Sequence, residues 1–158
     1  GKCCVSGCGA LEISYKNNGW FDWQTTRYRS FTRIYVPQNS TLLSSFGSLD
    51  KTEVDQEKNI ENPKNYFTGF ISVEPKEIKT LTFEYYLPAS VLENIKKNNY
   101  YSLLIQKQPG NNVSQVEVYL NFSKAVKVIS TEGESQINSN KVYFNSPLDK
   151  DYKLDISF

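Results

Sequence analysis

The sequence predicts an all-β protein, an antiparallel β-sandwich of about nine or ten strands with one short helix. Three observations predict it. Short runs of alternating apolar and polar residues recur along the chain, as half-buried strands require. Asn, Gly and Pro punctuate those runs where the backbone must turn. Aromatic residues reach 14% of the 158 residues, mostly Tyr and Phe, which suit a pleated, half-buried surface.

The first strand is "ALEISYK", Ala10 to Lys16, with Leu11, Ile13 and Tyr15 alternating against Glu12, Ser14 and Lys16. Asn17-Asn18-Gly19 ends it, since Asn and Gly tolerate positive φ. "TRYRSFTRIYVP" follows, with Tyr28, Ile34 and Val36 on one side and Arg27, Arg29 and Arg33 on the other. Pro37 lacks an amide donor and closes that strand. "TLLSSF" is a short apolar patch, and the polar stretch from Asp50 to Lys64 reads as one long exposed loop. Strands resume with "YFTGFISV", "IKTLTFEYYLP", "YYSLLIQK", "SQVEVYLNF", "KAVKVIS", "KVYFN" and "DYKLDISF". Between them only "ASVLENIKK", Ala89 to Lys97, is helical, with Val91, Leu92 and Ile95 on one face and Ser90 placed as its N-cap. Strands joined by turns imply antiparallel pairing, immunoglobulin-like in architecture. The chain has the length of one domain, read as 10–158 behind a linker at 1–9, and no repeat of roughly 20–50 residues is visible in it.

Composition removes several kinds of chemistry. There is no His, which excludes Ser-His-Asp and Cys-His catalysis and every His-containing zinc site. A formal charge of +1 argues against a nucleic-acid partner, which would be met by a basic face. No run of eighteen apolar residues is present to span a membrane. The chain starts at Gly1 without a Met or a secretory segment, so a longer or processed protein is expected. Cys3, Cys4 and Cys8 allow at most one small intrachain bridge and leave a thiol over, and they fall short of a four-ligand zinc site. No cofactor and no metal are expected.

The segments "YRSFTRIYVPQNSTLL", "YFTGFISVEP", "LTFEYYLP", "YYSLLIQKQPG" and "DYKLDISF" occur in the order seen in a bacterial family. The chain resembles, from about Leu11 to Phe158, the C-terminal extracellular region of the "domain of unknown function 4012" proteins. That resemblance implies a membrane-anchored envelope protein with an upstream transmembrane helix, and it transfers no catalytic residue. Glu74-Pro75-Lys76, where the pattern leads one to expect Pro-Gly, departs from it.

Three constellations remain as candidate sites. "GWFDWQ" places Trp20, Phe21 and Trp23 beside Asp22 and Gln24; exposed rings would stack on a sugar while the polar groups bond its hydroxyls. A plug at one end of the sandwich is the more ordinary fate of such a corner and is the favoured expectation. Arg27, Arg29 and Arg33, sharing a face with Phe31 and Tyr35, offer a cradle for an acidic group or a solvated strand face. Gln106 and Gln108 bracket Lys107 ahead of a Pro109-Gly110 turn and are expected to pair with a neighbouring edge. The acidic residues Asp50, Glu53, Asp55, Glu57 and Glu61, and then Asp149, Asp151 and Asp155, read as solvated loops.

The expected function is a non-catalytic extracellular domain of a cell-envelope protein, structural, adhesive or recognising envelope glycan or another surface protein. The alternative is an accessory or catalytic domain acting on envelope polysaccharide through carboxylates and exposed aromatics.

Overall fold

A computed structural model describes residues 7–23, 25–51, 54–57, 64–107 and 115–158. Among these residues the chain forms twelve strands and one helix. The strands are β1 (Cys8–Lys16), β2 (Tyr28–Pro37), β3 (Thr41–Phe46), β4 (Val54–Glu57), β5 (Lys64–Val73) and β6 (Ile78–Tyr86), then β7 (Tyr100–Ile105), β8 (Gln115–Asn121), β9 (Val128–Ser130), β10 (Glu134–Asn138), β11 (Lys141–Pro147) and β12 (Tyr152–Ser157). The helix α1 spans Ala89–Asn98. All strand pairs are antiparallel.

Where length suggested a single domain, the contacts cluster into two compact units, Gly1–Leu92 and Glu93–Phe158. In the first, sheet β1-β6-β3 faces sheet β2-β5-β4. Ile34, Val36, Phe67, Ile71, Val73, Leu81 and Phe83, drawn from both sheets, form its core. Tyr15 and Thr32 add a hydroxyl–hydroxyl bond of 2.6 Å between β1 and β2. In the second, sheet β7-β12-β9 and sheet β10-β11-β8 enclose two adjoining clusters, one around Val142 and Ile156 and one around Phe144 and Leu154.

The two units repeat one connectivity. In each, the first strand pairs with the sixth and the sixth with the third, while the second pairs with the fifth and the fifth with the fourth. The second, fifth and fourth strands thus take the B-E-D order of an immunoglobulin sandwich, and the third and sixth take C and F. The first strand sits beside F, where G would be. Tyr152 opens β12 at the corner where such sandwiches carry a hydrogen-bonded tyrosine. Its hydroxyl donates to Asp149 Oδ1 at 2.8 Å and accepts from Ser146 Oγ at 2.8 Å.

Burial explains the arrangement. Phe67, Phe83, Phe144, Ile71, Leu81, Leu154, Ile156, Val73 and Val142 are the large side chains fully withdrawn from water. Every one lies on β5, β6, β11 or β12, the central strand of a sheet. Withdrawing a side chain of this size contributes about 1.5–3 kcal/mol, so these four strands hold the fold together.

Several expected boundaries move. β1 begins at Cys8 rather than Ala10, because Cys8 and Gly9 continue the ladder opposite Tyr86 and Tyr85. Cys8, which is disulfide-bonded, is the first residue of β1. The polar stretch after Asp50 contains β4, which pairs with β5 from Val54 to Glu57. β10 was not anticipated either. Ser90 lies inside the first turn of α1, and the carbonyl of Pro88 accepts the Val91 amide at 3.0 Å. Asn99, with φ of 49°, stops the helix in the left-handed region.

Candidate functional site

After β1 the chain would run on as strand but for Asn17, which is buried at 9% exposure. Its amide nitrogen donates to the carbonyls of Thr26 and Val73, each at 3.0 Å, and its oxygen accepts the Gly19 amide at 2.9 Å. The backbone of the same residue pairs with Lys76 and Glu77. One side chain thus pins both ends of the segment from Asn17 to Thr26 against the end of β5.

Thr25 fixes the middle. Its hydroxyl donates to the Trp20 carbonyl at 2.8 Å and accepts the Trp20 amide at 3.1 Å. Asp22 Oδ1 accepts the Thr25 amide at 2.6 Å, and the Asp22 amide returns to the Thr25 carbonyl at 3.0 Å. With the polar groups turned inward to each other, the rings are left outside. Trp20, Phe21 and Trp23 are 66%, 68% and 90% exposed. This overturns the expectation of a core plug: the rings are exposed, and the loop satisfies itself through Asn17, Thr25 and Asp22. Gln24 lies outside the described residues.

Beside the loop stands the turn Glu74-Pro75-Lys76-Glu77, closed by the Glu77 amide on the Glu74 carbonyl at 3.0 Å. Lys76 Nζ lies 4.0 Å from the Trp20 ring centroid and donates to the Asn18 carbonyl at 2.9 Å. Glu74 pairs with the Arg27 guanidinium through Nε, and this hydrogen-bonded charge raises the arginine pKa. The Trp20 ring therefore shares a surface with Lys76, and the Arg27–Glu74 pair belongs to the same turn through Glu74.

The arginines separate. Arg27 joins the loop, while Arg29 and Arg33 stand on the outward face of β2 with Phe31 and Tyr35. The Arg33 guanidinium lies 5.6 Å from the Phe31 ring and 5.3 Å from the Tyr66 ring, so its charge covers aromatic surface on the sheet. Gln106 follows the last residue of β7 and is exposed; it does not extend the strand as expected. The Asp151 carboxylate takes the Lys107 amide at 2.8 Å and ends the ladder there. Gln108, Pro109 and Gly110 lie outside the described residues, as do Cys3, Cys4, Glu53 and Glu61.

Three carboxylates of the second unit, Glu132, Asp151 and Asp155, line a depression of about 300 Å³ together with Ser130, Thr131, Tyr152 and Lys153. Asp155 accepts hydrogen bonds from Tyr100 and from Ser102 Oγ at 2.7 Å, and Lys153 Nζ sits at 2.9 Å. These partners hold its pKa down at about 2. Lys150 likewise lowers Glu132, and the Tyr152 hydroxyl lowers Asp149. A general acid needs the opposite shift. Among the described residues no group of three or more His, Cys, Asp or Glu is placed to hold a metal, and no helix is long and apolar enough to cross a membrane.

Sequence reasoning picked out the rings and missed what holds them. Asn17 read as an ordinary turn residue and Thr25 drew no notice. Lys76 was visible as a departure from Pro-Gly, without a consequence. No protein-family model, no curated protein and no solved structure matches the chain.

Proposed function

We propose that this chain is a non-catalytic recognition module of a bacterial cell-envelope protein, and that it binds glycan through the Trp20–Trp23 loop. The observation that carries the reading is three large rings held in water by a hydrogen-bonded loop. Burying them would be worth roughly 1.5–3 kcal/mol each, so a loop that keeps them exposed forgoes that gain. Rings of this kind stack on the apolar face of a sugar, and the flanking Asp22, Lys76 and Arg27–Glu74 groups supply donors and acceptors for hydroxyls. The envelope location and an upstream anchor rest on the motif resemblance; the same surface also suits another envelope protein.

A glycan array followed by titration tests this. Trp20 and Trp23 are the only tryptophans in the chain, so intrinsic fluorescence reports the loop directly. Bound glycan should quench or shift the emission, and Trp23→Ala should weaken binding by about 1 kcal/mol or more while leaving the melting temperature unchanged. Binding that survives the loss of both tryptophans would refute the site.

The depression beside Asp151 and Asp155 favours a second reading, an accessory or catalytic role on envelope polysaccharide. Reducing-sugar release that vanishes in Asp151→Asn would establish it.

A further inference from the structure

Lys76 stands in a backbone conformation that its own turn would assign to glycine. Pro75 and Lys76 are the two central residues of the Glu74–Glu77 turn, and Lys76 has φ of 69°. Proline cannot take positive φ, so this is a type II turn, whose third residue is ordinarily Gly. A residue with a Cβ is strained in that region. The three contacts of Lys76 all run to one place: its amide to the Asn17 carbonyl at 2.8 Å, its Nζ to the Asn18 carbonyl at 2.9 Å, and the same Nζ over the Trp20 ring at 4.0 Å. A glycine would keep the first and lose the other two. The strain is thus offset only by what the side chain does to the aromatic loop.

We infer that Lys76 is a positioning residue that clamps the Trp20 ring from one side and sets the plane it offers to ligand. The ammonium covers one face of the indole, which leaves the opposite face and the more exposed Trp23 for stacking. The Asn18 carbonyl holds the ammonium in place, so the clamp is anchored at both ends. This rests on the glycan reading of the loop but is separable from it, because the clamp exists without ligand.

The experiment places Lys76→Gly and Lys76→Arg in a Trp23→Phe background, where Trp20 is the sole tryptophan. Lys76→Gly should red-shift the Trp20 emission and raise its acrylamide quenching, while the melting temperature moves by no more than about 4 °C because relief of the turn offsets lost contacts. Lys76→Arg, which keeps a cation for the ring, should restore the wild-type emission. With the tryptophans intact, Lys76→Gly should weaken binding of chitohexaose by about two- to fivefold, the scale of an exposed cation–π contact. Unchanged emission and quenching in Lys76→Gly would overturn the clamp, and so would a fall in melting temperature well beyond that range, which would make Lys76 a stabiliser of the fold. If wild-type protein ignores chitohexaose, the glycan reading fails for that probe, and the fluorescence of the apo protein still decides the role of Lys76.

Discussion

Three hydrogen bonds converge on the Asn17 amide, and among the loop's described residues no other polar side chain is as buried. Asn17→Ala would strip partners from the Thr26 and Val73 carbonyls and from the Gly19 amide. Leaving such groups unpaired costs about 1–3 kcal/mol, so the variant should lose that much in urea unfolding and also release the aromatic loop. Gly47 presents the opposite case, a residue whose lack of a side chain is what matters. It has φ of 85°, and a Cβ there would lie 2.0 Å from the Thr80 carbonyl oxygen. Gly47→Ala should therefore cost at least about 2 kcal/mol, read as a lowered denaturant midpoint at constant m-value. An unchanged midpoint would mean that the β3 exit is free to move. Residue identity announced Asn17 only as a strand end, and Gly47 drew no notice. Their long-range partners, Thr80 and Val73, come from strands that sequence cannot bring alongside.

Period-two alternation revealed nine of the strands because one face of each is apolar, and β3 showed only as a short apolar patch. β4 and β10, each the fourth strand of its unit and an edge of its sheet, escaped notice because their residues are mostly polar. Edge strands pair on one side only and carry polar residues that discourage further pairing, so "VDQE" and "ESQIN" look like loops. The cross-strand partners of β7 and β12 give a prediction of a different kind. Asp155 on β12 faces Ser102 across the ladder and gathers the Tyr100, Ser102 and Lys153 donors. Its pKa falls from 3.8 to about 2 on folding, so the folded state favours the ionised form. The resulting stability is complete above the unfolded value and drains away as pH drops from roughly 4 towards 2. Glu132 and Asp149 are lowered too and act in the same direction. Melting temperatures followed down through that window should fall less steeply for Asp155→Asn than for wild type. Parallel curves would show that Tyr100 and Ser102 do not favour the carboxylate.

At the scale of the molecule, one connectivity is used twice, and the side chains echo it. Tyr35 on β2 lies opposite Tyr66 on β5, with ring centroids 5.8 Å apart. Tyr119 on β8 lies opposite Tyr143 on β11, with centroids 4.8 Å apart. Both pairs join the second and fifth strands of a unit. The residue pattern hid this duplication, since alternation marks strands but not which strand each will join, and the units differ in length. What the cores do imply is energetic. Phe83 is fully buried in the first unit and Phe144 in the second, each within a cluster built from its own unit's strands. Truncating either ring to Ala should cost about 3–5 kcal/mol, a large part of the stability of a domain this small. If each unit folds on its own core, scanning calorimetry of the full chain should show two transitions, with Phe83→Ala lowering one and Phe144→Ala the other. A single transition that both substitutions shift alike would mean that the two sandwiches unfold as one cooperative body.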